Sequence, residues 1–266
     1  YLDLTAGYAG HAKQVIDAIG DAHLVTLVDR DDFAIAALQP IKDTGARIIH
    51  QDFASAAADL HRAGEQFDMI LLDLGVSSPQ LDIAGRGFSF LQDGPLDMRM
   101  DQQKGRTAAD ICNKASLDEL VQLLRDYGEQ PNAYKIARAI MAARPLTTTS
   151  QLANVVLNVH RGPWQKSHPA TRTFQALRIA VNQELQQLAS TLKLIPDLLK
   201  PGGRVAIISF HSLEDRMVKR FFKEEQDAGY EARLQVITKQ AISGADQDAH
   251  NPRARSAKLR AAVNIK

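Results

Sequence analysis

Leu2-Asp-Leu-Thr5-Ala-Gly7-Tyr-Ala9-Gly10-His11 is the stretch on which the fold of this chain turns. Leu2–Thr5 reads as a short strand, Gly7-x-x-Gly10 as a tight turn, and His11–Ile19 as an amphipathic helix. Outward from it, β-type runs at Leu24–Val28, Arg47–His50, Met69–Leu74 and Arg204–Phe210 alternate early on with helical patterns at Asp32–Leu38 and Ala54–Arg62. Strands and helices in alternation build βαβ units, so the spacing predicts a parallel sheet in an α/β fold. In such sheets ligands bind outside the carboxyl ends of the strands, where a glycine turn lets backbone N–H groups come close. Asp29, 19 residues beyond Gly10, ends the second strand where a carboxylate can accept hydrogen bonds from a ribose.

The alternation stops after the fourth strand. Residues 75–102 are rich in glycine and proline and too long for an idle connection, so a functional loop is expected there. Helical segments follow, and Ser116-Leu-Asp-Glu119 and Thr148-Thr-Ser-Gln151 have the form of capping boxes. This predicts a helical domain over 103–168 inserted into a core formed by 1–102 and 169–266. Beyond it the pattern predicts a long helix over Thr173–Lys200 stopped by Pro201-Gly-Gly203, a helix over Ser212–Gln226, and strands at Leu234–Thr238 and Leu259–Ile265. The first residue already belongs to a strand and is not Met, so the natural N-terminus is expected upstream.

Composition narrows the partners. The 266 residues carry 32 Lys plus Arg and 31 Asp plus Glu, a net charge of +1, with 45% apolar residues, as in ordinary globular proteins. The near balance conceals an asymmetry: residues 1–100 hold 7 basic and 15 acidic side chains, and 101–266 hold 25 and 16. The basic part is a candidate surface for a polyanion. Apolar runs such as Met69–Leu72 fall far short of the roughly 18 residues of a membrane-spanning helix, so no membrane is expected. One cysteine, Cys112, precludes an internal disulfide and suits a reducing compartment.

The glycine turn lacks the Gly-x-Gly-x-x-Gly of nicotinamide enzymes. Asp3, four residues before Gly7, instead resembles the first motif of class I methyltransferases that use S-adenosylmethionine, with Ala9 where their second glycine usually stands. Leu199-Lys-Pro-Gly-Gly-Arg-Val-Ala-Ile207 is similar to a turn of the same superfamily. Asp73-Leu-Gly-Val-Ser-Ser-Pro-Gln-Leu-Asp82, Arg86-Gly-Phe-Ser-Phe90 with Gly94-Pro-Leu-Asp-Met-Arg-Met-Asp101, His168-Pro-Ala-Thr-Arg-Thr-Phe-Gln-Ala-Leu-Arg178 and Ser209-Phe-His-Ser-Leu-Glu-Asp-Arg216 make a narrower match. Together with Asn251-Pro-Arg-Ala-Arg-Ser-Ala-Lys-Leu-Arg260 they resemble the MraW family of small-subunit ribosomal RNA methyltransferases across essentially the whole chain.

The resemblance implies a bacterial cytoplasmic enzyme with a class I sheet interrupted by a helical domain. It would methylate the exocyclic N4 of one cytosine in the decoding region of 16S rRNA, in the small ribosomal subunit. Family cofactor contacts fall by position on Ala9, Gly10, His11, Asp29, Phe53, Asp73 and Gln80. Phe53 can pack on an adenine face or merely in the core, with Asp52 near as an acceptor. Asp73, Ser77 and His211 are the candidates for the groups that act on the target amine; a helix-entry role is the plain alternative for His211. Phe88, Phe90, Met98 and Met100 can wall a pocket for a flipped base or anchor the loop. Arg138, Arg144, Arg161, Lys166, Arg172, Arg178, Arg253, Arg255, Lys258 and Arg260 are candidates for phosphate contacts. No metal-ligand spacing stands out, Cys112 is not expected to act as a nucleophile, and a homodimer is left open. Two other readings stand beside this one: a methyltransferase acting on a protein or small molecule, and a non-catalytic RNA-binding assembly factor. The acidic residues at the ends of strands one, two and four argue against the last.

Overall fold

In the computed structural model, which describes residues 1–160, 168–247 and 251–266, the strands join into a single sheet. They are β1 (Leu2–Asp3), β2 (Thr26–Asp29), β3 (Arg47–His50), β4 (Phe67–Asp73), β5 (Leu199–Ser209), β6 (Leu234–Val236), β7 (Ile242–Ser243) and β8 (Lys258–Asn264). Their order is β3-β2-β1-β4-β5-β8-β6, with β7 also on β8. Strands β1 to β5 pair in parallel, whereas β8 runs antiparallel to β5, β6 and β7. The order reverses beside β1, which creates the crevice where open α/β sheets bind ligands. This is a Rossmann-like α/β sheet, as expected.

The chain divides into two units, Tyr1–Gly75 with Leu185–Lys266, and Val76–Glu184. In the sheet unit, α1 (Gly10–Ile19), α2 (Asp32–Lys42) and α3 (Phe53–Arg62) alternate with the first strands. Successive residues of a strand point to opposite faces. Leu71 thus joins Ala12, Leu27 and Leu38 in one core, while Ile70, Leu72 and Leu74 join Ala57, Leu60 and Val205 in another. Apolar burial on both faces is what a parallel sheet requires.

The second unit is helical: α4 (Ser78–Asp82), α5 (Ala108–Lys114), α6 (Leu117–Asp126), α7 (Ala133–Ala142), α8 (Thr149–Val159) and α9 (Thr171–Asn182). Both expected capping boxes are present, at Ser116 with Glu119 and at Thr148 with Gln151. The unit is wider than 103–168, because Phe88, Leu96, Met98 and Met100 from the preceding loop are buried among its helices, as is Phe174 from α9.

The single long helix expected over Thr173–Lys200 is two helices. Between α9 and α10 (Glu184–Leu198), Gln183 takes a left-handed φ of 53°. Partners far along the chain outweigh helical continuity here. Asn182, buried, accepts from the Met100 N–H at 2.9 Å and donates to the Met98 carbonyl at 2.8 Å. Pro201-Gly-Gly203 does not simply stop a helix. It lies inside β5, where the register slips between Phe67↔Leu199 and Met69↔Arg204. An extra loop of residues on one strand is a bulge, and glycine accommodates it. After β5, α11 (Ser212–Asp227) and the short α12 (Gly244–Gln247) complete the sheet unit.

Candidate active site

The turn from β1 to α1 is fixed by two carboxylates. Asp3 accepts from the Tyr1 hydroxyl and from the Thr5 N–H, each at 3.0 Å. Burial pushes the Asp3 carboxyl up to about 6, against the pull of those two donors. Asp29, at the end of β2, accepts from the Gly7 N–H at 2.8 Å and the Asp31 N–H at 2.9 Å. Burial raises its carboxyl too, and the same backbone donors oppose the rise. Asp29 is thus a strut of the glycine turn, held by the Gly7, Asp31 and Arg30 main chain, with acceptor capacity left for a ligand.

Ala9 caps α1 with φ 63° and ψ 28°, the left-handed region. This is why glycine usually stands there: a β-carbon in that conformation costs roughly 1–2 kcal/mol. Ala9 offers no side-chain cap, so the first N–H groups of α1 are left to other acceptors. A Cβ added at Gly10 would meet nothing within 4 Å, so the backbone here faces open space.

Asp73 ends β4. Its backbone N–H donates to Thr5 Oγ1 at 2.6 Å, which ties the tips of β1 and β4 together. One carboxylate oxygen, Oδ2, lies 3.5 Å from His11 Nε2. The other, Oδ1, is buried and has no hydrogen-bond partner among the described residues. A buried acceptor left unpaired costs about 1–3 kcal/mol, more when charged, so such an oxygen is suited to a hydrogen-bond donor or cation from a ligand. The structure therefore gathers Asp3, Gly7, Ala9, Gly10, His11, Asp29 and Asp73 at the tips of β1, β2 and β4.

The family profile described as "MraW methylase family" matches residues 1–265. The chain belongs to that family. Among its relatives, the "Ribosomal RNA small subunit methyltransferase H" of Methylobacillus flagellatus is 45% identical over 98% of this chain and 87% of its own length. The proteins of that name from Solidesulfovibrio magneticus and from Cyanothece are 46% identical (99% and 89% covered) and 48% identical (100% and 88% covered). The cofactor of this MraW methylase is S-adenosylmethionine. The rim suits such a donor. It presents an uncapped helix entry to a carboxylate, and the unpaired Asp73 Oδ1 to a cationic group.

The remaining expected residues sit as follows. Phe53 opens α3 and is partly buried against the sheet core. Asp52 caps that helix, accepting from the Ala54 and Ser55 N–H groups and the Ser55 hydroxyl. In the helical unit, Ser77 and Gln80 cap α4 reciprocally: Gln80 Oε1 accepts from the Ser77 N–H at 2.9 Å, and Ser77 Oγ from the Gln80 N–H at 3.4 Å. His211 caps α11 through Nδ1, which accepts from the Glu214 N–H at 3.4 Å. Its Nε2 lies 3.2 Å from Glu214 Oε1, out of line for a hydrogen bond. Sequence reasoning passed over Thr5 and Tyr1, which hold Asp73 and Asp3. The signal for Thr5 was its place at the end of the strand that carries Asp3.

Several candidate phosphate ligands are already occupied. Arg144 donates to the Cys112 and Ala115 carbonyls, and Arg172 to the Glu129 carbonyl. Arg178 forms a fork with Glu184 at 2.9 Å, and Lys258 and Arg260 share Asp215. Arg138 and Arg255 are exposed, and Arg161 and Lys166 lie outside the described residues. Phe88, Met98 and Met100 belong to the helical core, whereas Phe90 is half-buried, 4.7 Å from the His168 ring and 4.8 Å from Phe174. Cys112 is fully buried, and burial pushes its thiol up to about 12. Folded protein is therefore expected to resist thiol alkylation at neutral pH, with labelling only in denaturant. Rapid labelling of the folded chain would contradict that burial.

Proposed function

We propose that this MraW methylase transfers a methyl group from S-adenosylmethionine to the exocyclic N4 of one cytosine in the decoding region of 16S rRNA in the small ribosomal subunit. The observation that carries the reading is the buried, unpaired Asp73 Oδ1 at the β4 tip, in a chain whose relatives are named small-subunit ribosomal RNA methyltransferases. The donor, when bound, supplies an activated methyl group. The protein's share is alignment and a place for the charge that develops on the amine.

In this reading Asp29 takes the ribose, Phe53 packs on the adenine, and Ala9, Gly10 and His11 line the methionine portion, with Gln80 from α4 as a further contact. Cytosine N4 is a weak nucleophile because its lone pair is delocalised into the ring. An acceptor that holds one amine hydrogen directs the lone pair and takes up the proton released after transfer. Asp73 is one candidate, its single unengaged oxygen Oδ1 meeting either the target amine or the donor's cationic group, and Ser77 is the second. His211 comes third, since its ring is turned to the α11 cap.

The test is incubation of labelled S-adenosylmethionine with small subunits lacking the modification, followed by digestion of the RNA to nucleosides. Label in N4-methylcytidine supports the reading. Label in protein only favours a protein methyltransferase, and RNA binding with no transfer at all favours an assembly factor.

Phosphate contacts release counterions, so log K for RNA should fall linearly with log salt. Arg255→Gln is expected to flatten that slope by about one unit and leave donor affinity unchanged. Arg260→Gln, which instead leaves Asp215 with one partner fewer, should lower the melting temperature with a smaller change in slope. Identical slopes in wild type and Arg255→Gln would remove Arg255 from the RNA surface.

A further inference from the structure

The contact between His11 and Asp73 asks for an explanation, because neither group needs the other for the fold. His11 is in the first turn of α1 and half exposed, and Asp73 is already held by its main chain through Thr5. What the contact decides is which carboxylate oxygen remains free: with the imidazole at Oδ2, Oδ1 is the one without a partner. The charged groups that face the pair from the neighbouring strands are carboxylates. From β1 it is faced by Asp3, whose own oxygens take Tyr1 and Thr5, and from β2 Asp29 faces the Gly7 turn. Among these groups His11 is the one that can become a cation.

We infer that His11 is a positioning residue, a built-in counter-ion that holds Asp73 ready and is displaced electrostatically when the positively charged donor arrives. The inference rests on the reading of this rim as the donor site. A proton on the imidazole and a cation at Oδ1 both draw on the same carboxylate, so each weakens the other. Asp73 raises the His11 ring above its ordinary value, with a smaller push from Asp3 and an opposing one from burial. Bound S-adenosylmethionine should bring it back down. By linkage, donor affinity should then rise with pH through the titration of His11, because the proton must leave as the donor enters. S-adenosylhomocysteine keeps the α-ammonium group and lacks the sulfonium charge, so it should compete, but less. The same pair would therefore favour the charged donor over the spent product as pH rises.

NMR titration of the His11 ring reads this without any turnover, with His11→Gln used to assign the signal. The expected result is a His11 pKa that falls by about one unit on saturation with S-adenosylmethionine, and by less with S-adenosylhomocysteine. In Asp73→Asn it should sit near its ordinary value already and move little with either. Asp3→Asn separates the nearby carboxyl, whose own titration near pH 6 falls in the same window. A His11 pKa unmoved by S-adenosylmethionine, with binding confirmed by calorimetry, overturns the inference alone. Absence of binding in wild type overturns the donor site and the inference together. An unchanged shift in Asp73→Asn would show that the coupling runs through another group.

Discussion

Asparagine at position 73 is expected to lower S-adenosylmethionine affinity by about 10- to 100-fold, the loss of one hydrogen bond to a charged group of about 1.5–3 kcal/mol. The side chain keeps its shape and loses its charge, so the effect isolates electrostatics from packing. Stability should change little. The fold uses the backbone N–H of Asp73, bonded to Thr5 Oγ1, while the carboxylate makes a single long contact with His11 and leaves Oδ1 unpaired. Removing a charge from a tip that also carries Asp3 and Asp29 can even relieve repulsion. Calorimetry and thermal melting on the same samples separate the two quantities. Donor affinity unchanged in Asp73→Asn would displace Asp73 from the site.

The second large effect is structural. Asn182→Ala is expected to destabilise the helical unit by about 3 kcal/mol, since the buried Met100 N–H and Met98 carbonyl lose their partner at once. The amide also donates to the Arg178 carbonyl at 3.0 Å, within its own helix. At roughly 2–4 °C per kcal/mol for a chain of this size, the melting temperature should drop by about 6–12 °C. The loop around Met98, at φ 65°, should lose its protection first. Hydrogen exchange at the Met100 amide tests this directly: accelerated exchange there before global unfolding is the expected outcome. A melting temperature within a degree of wild type would mean that the loop is held by its buried apolar side chains alone.

These two residues show what sequence reading reaches. Asp73 and Asp29 were legible because a strand end and its spacing from a glycine turn are local patterns, and local patterns fix the βα units of the first 75 residues. Ala9 was legible as a departure from glycine, and its positive φ gives the physical meaning of that departure. Asn182 was not legible, because its partners lie 82 and 84 residues back, and no periodicity announces a helix broken by distant hydrogen bonds. The Pro201-Gly-Gly203 stretch was misplaced for a related reason: a bulge in β5 depends on the register with Phe67, which a single strand does not reveal. Among the basic residues, sequence could count charges but not cancel them, and Arg144, Arg178 and Arg260 are spent on carbonyls and carboxylates.

The central claim is the location of the donor. The sheet unit also contains a cavity of about 380 Å³ lined by His61, Asp197, Arg233 and Lys266, at the far ends of the strands from Asp29 and Asp73. A crystal of this protein grown with S-adenosylhomocysteine distinguishes the two ends in one measurement. Density along the Gly7–His11 turn, with its adenosyl group toward Asp29 and Phe53 and its amino-acid end against Asp73, is the result expected. Density in the His61–Arg233 cavity, or a rim too filled by its own side chains to admit an adenosyl group, would contradict the account.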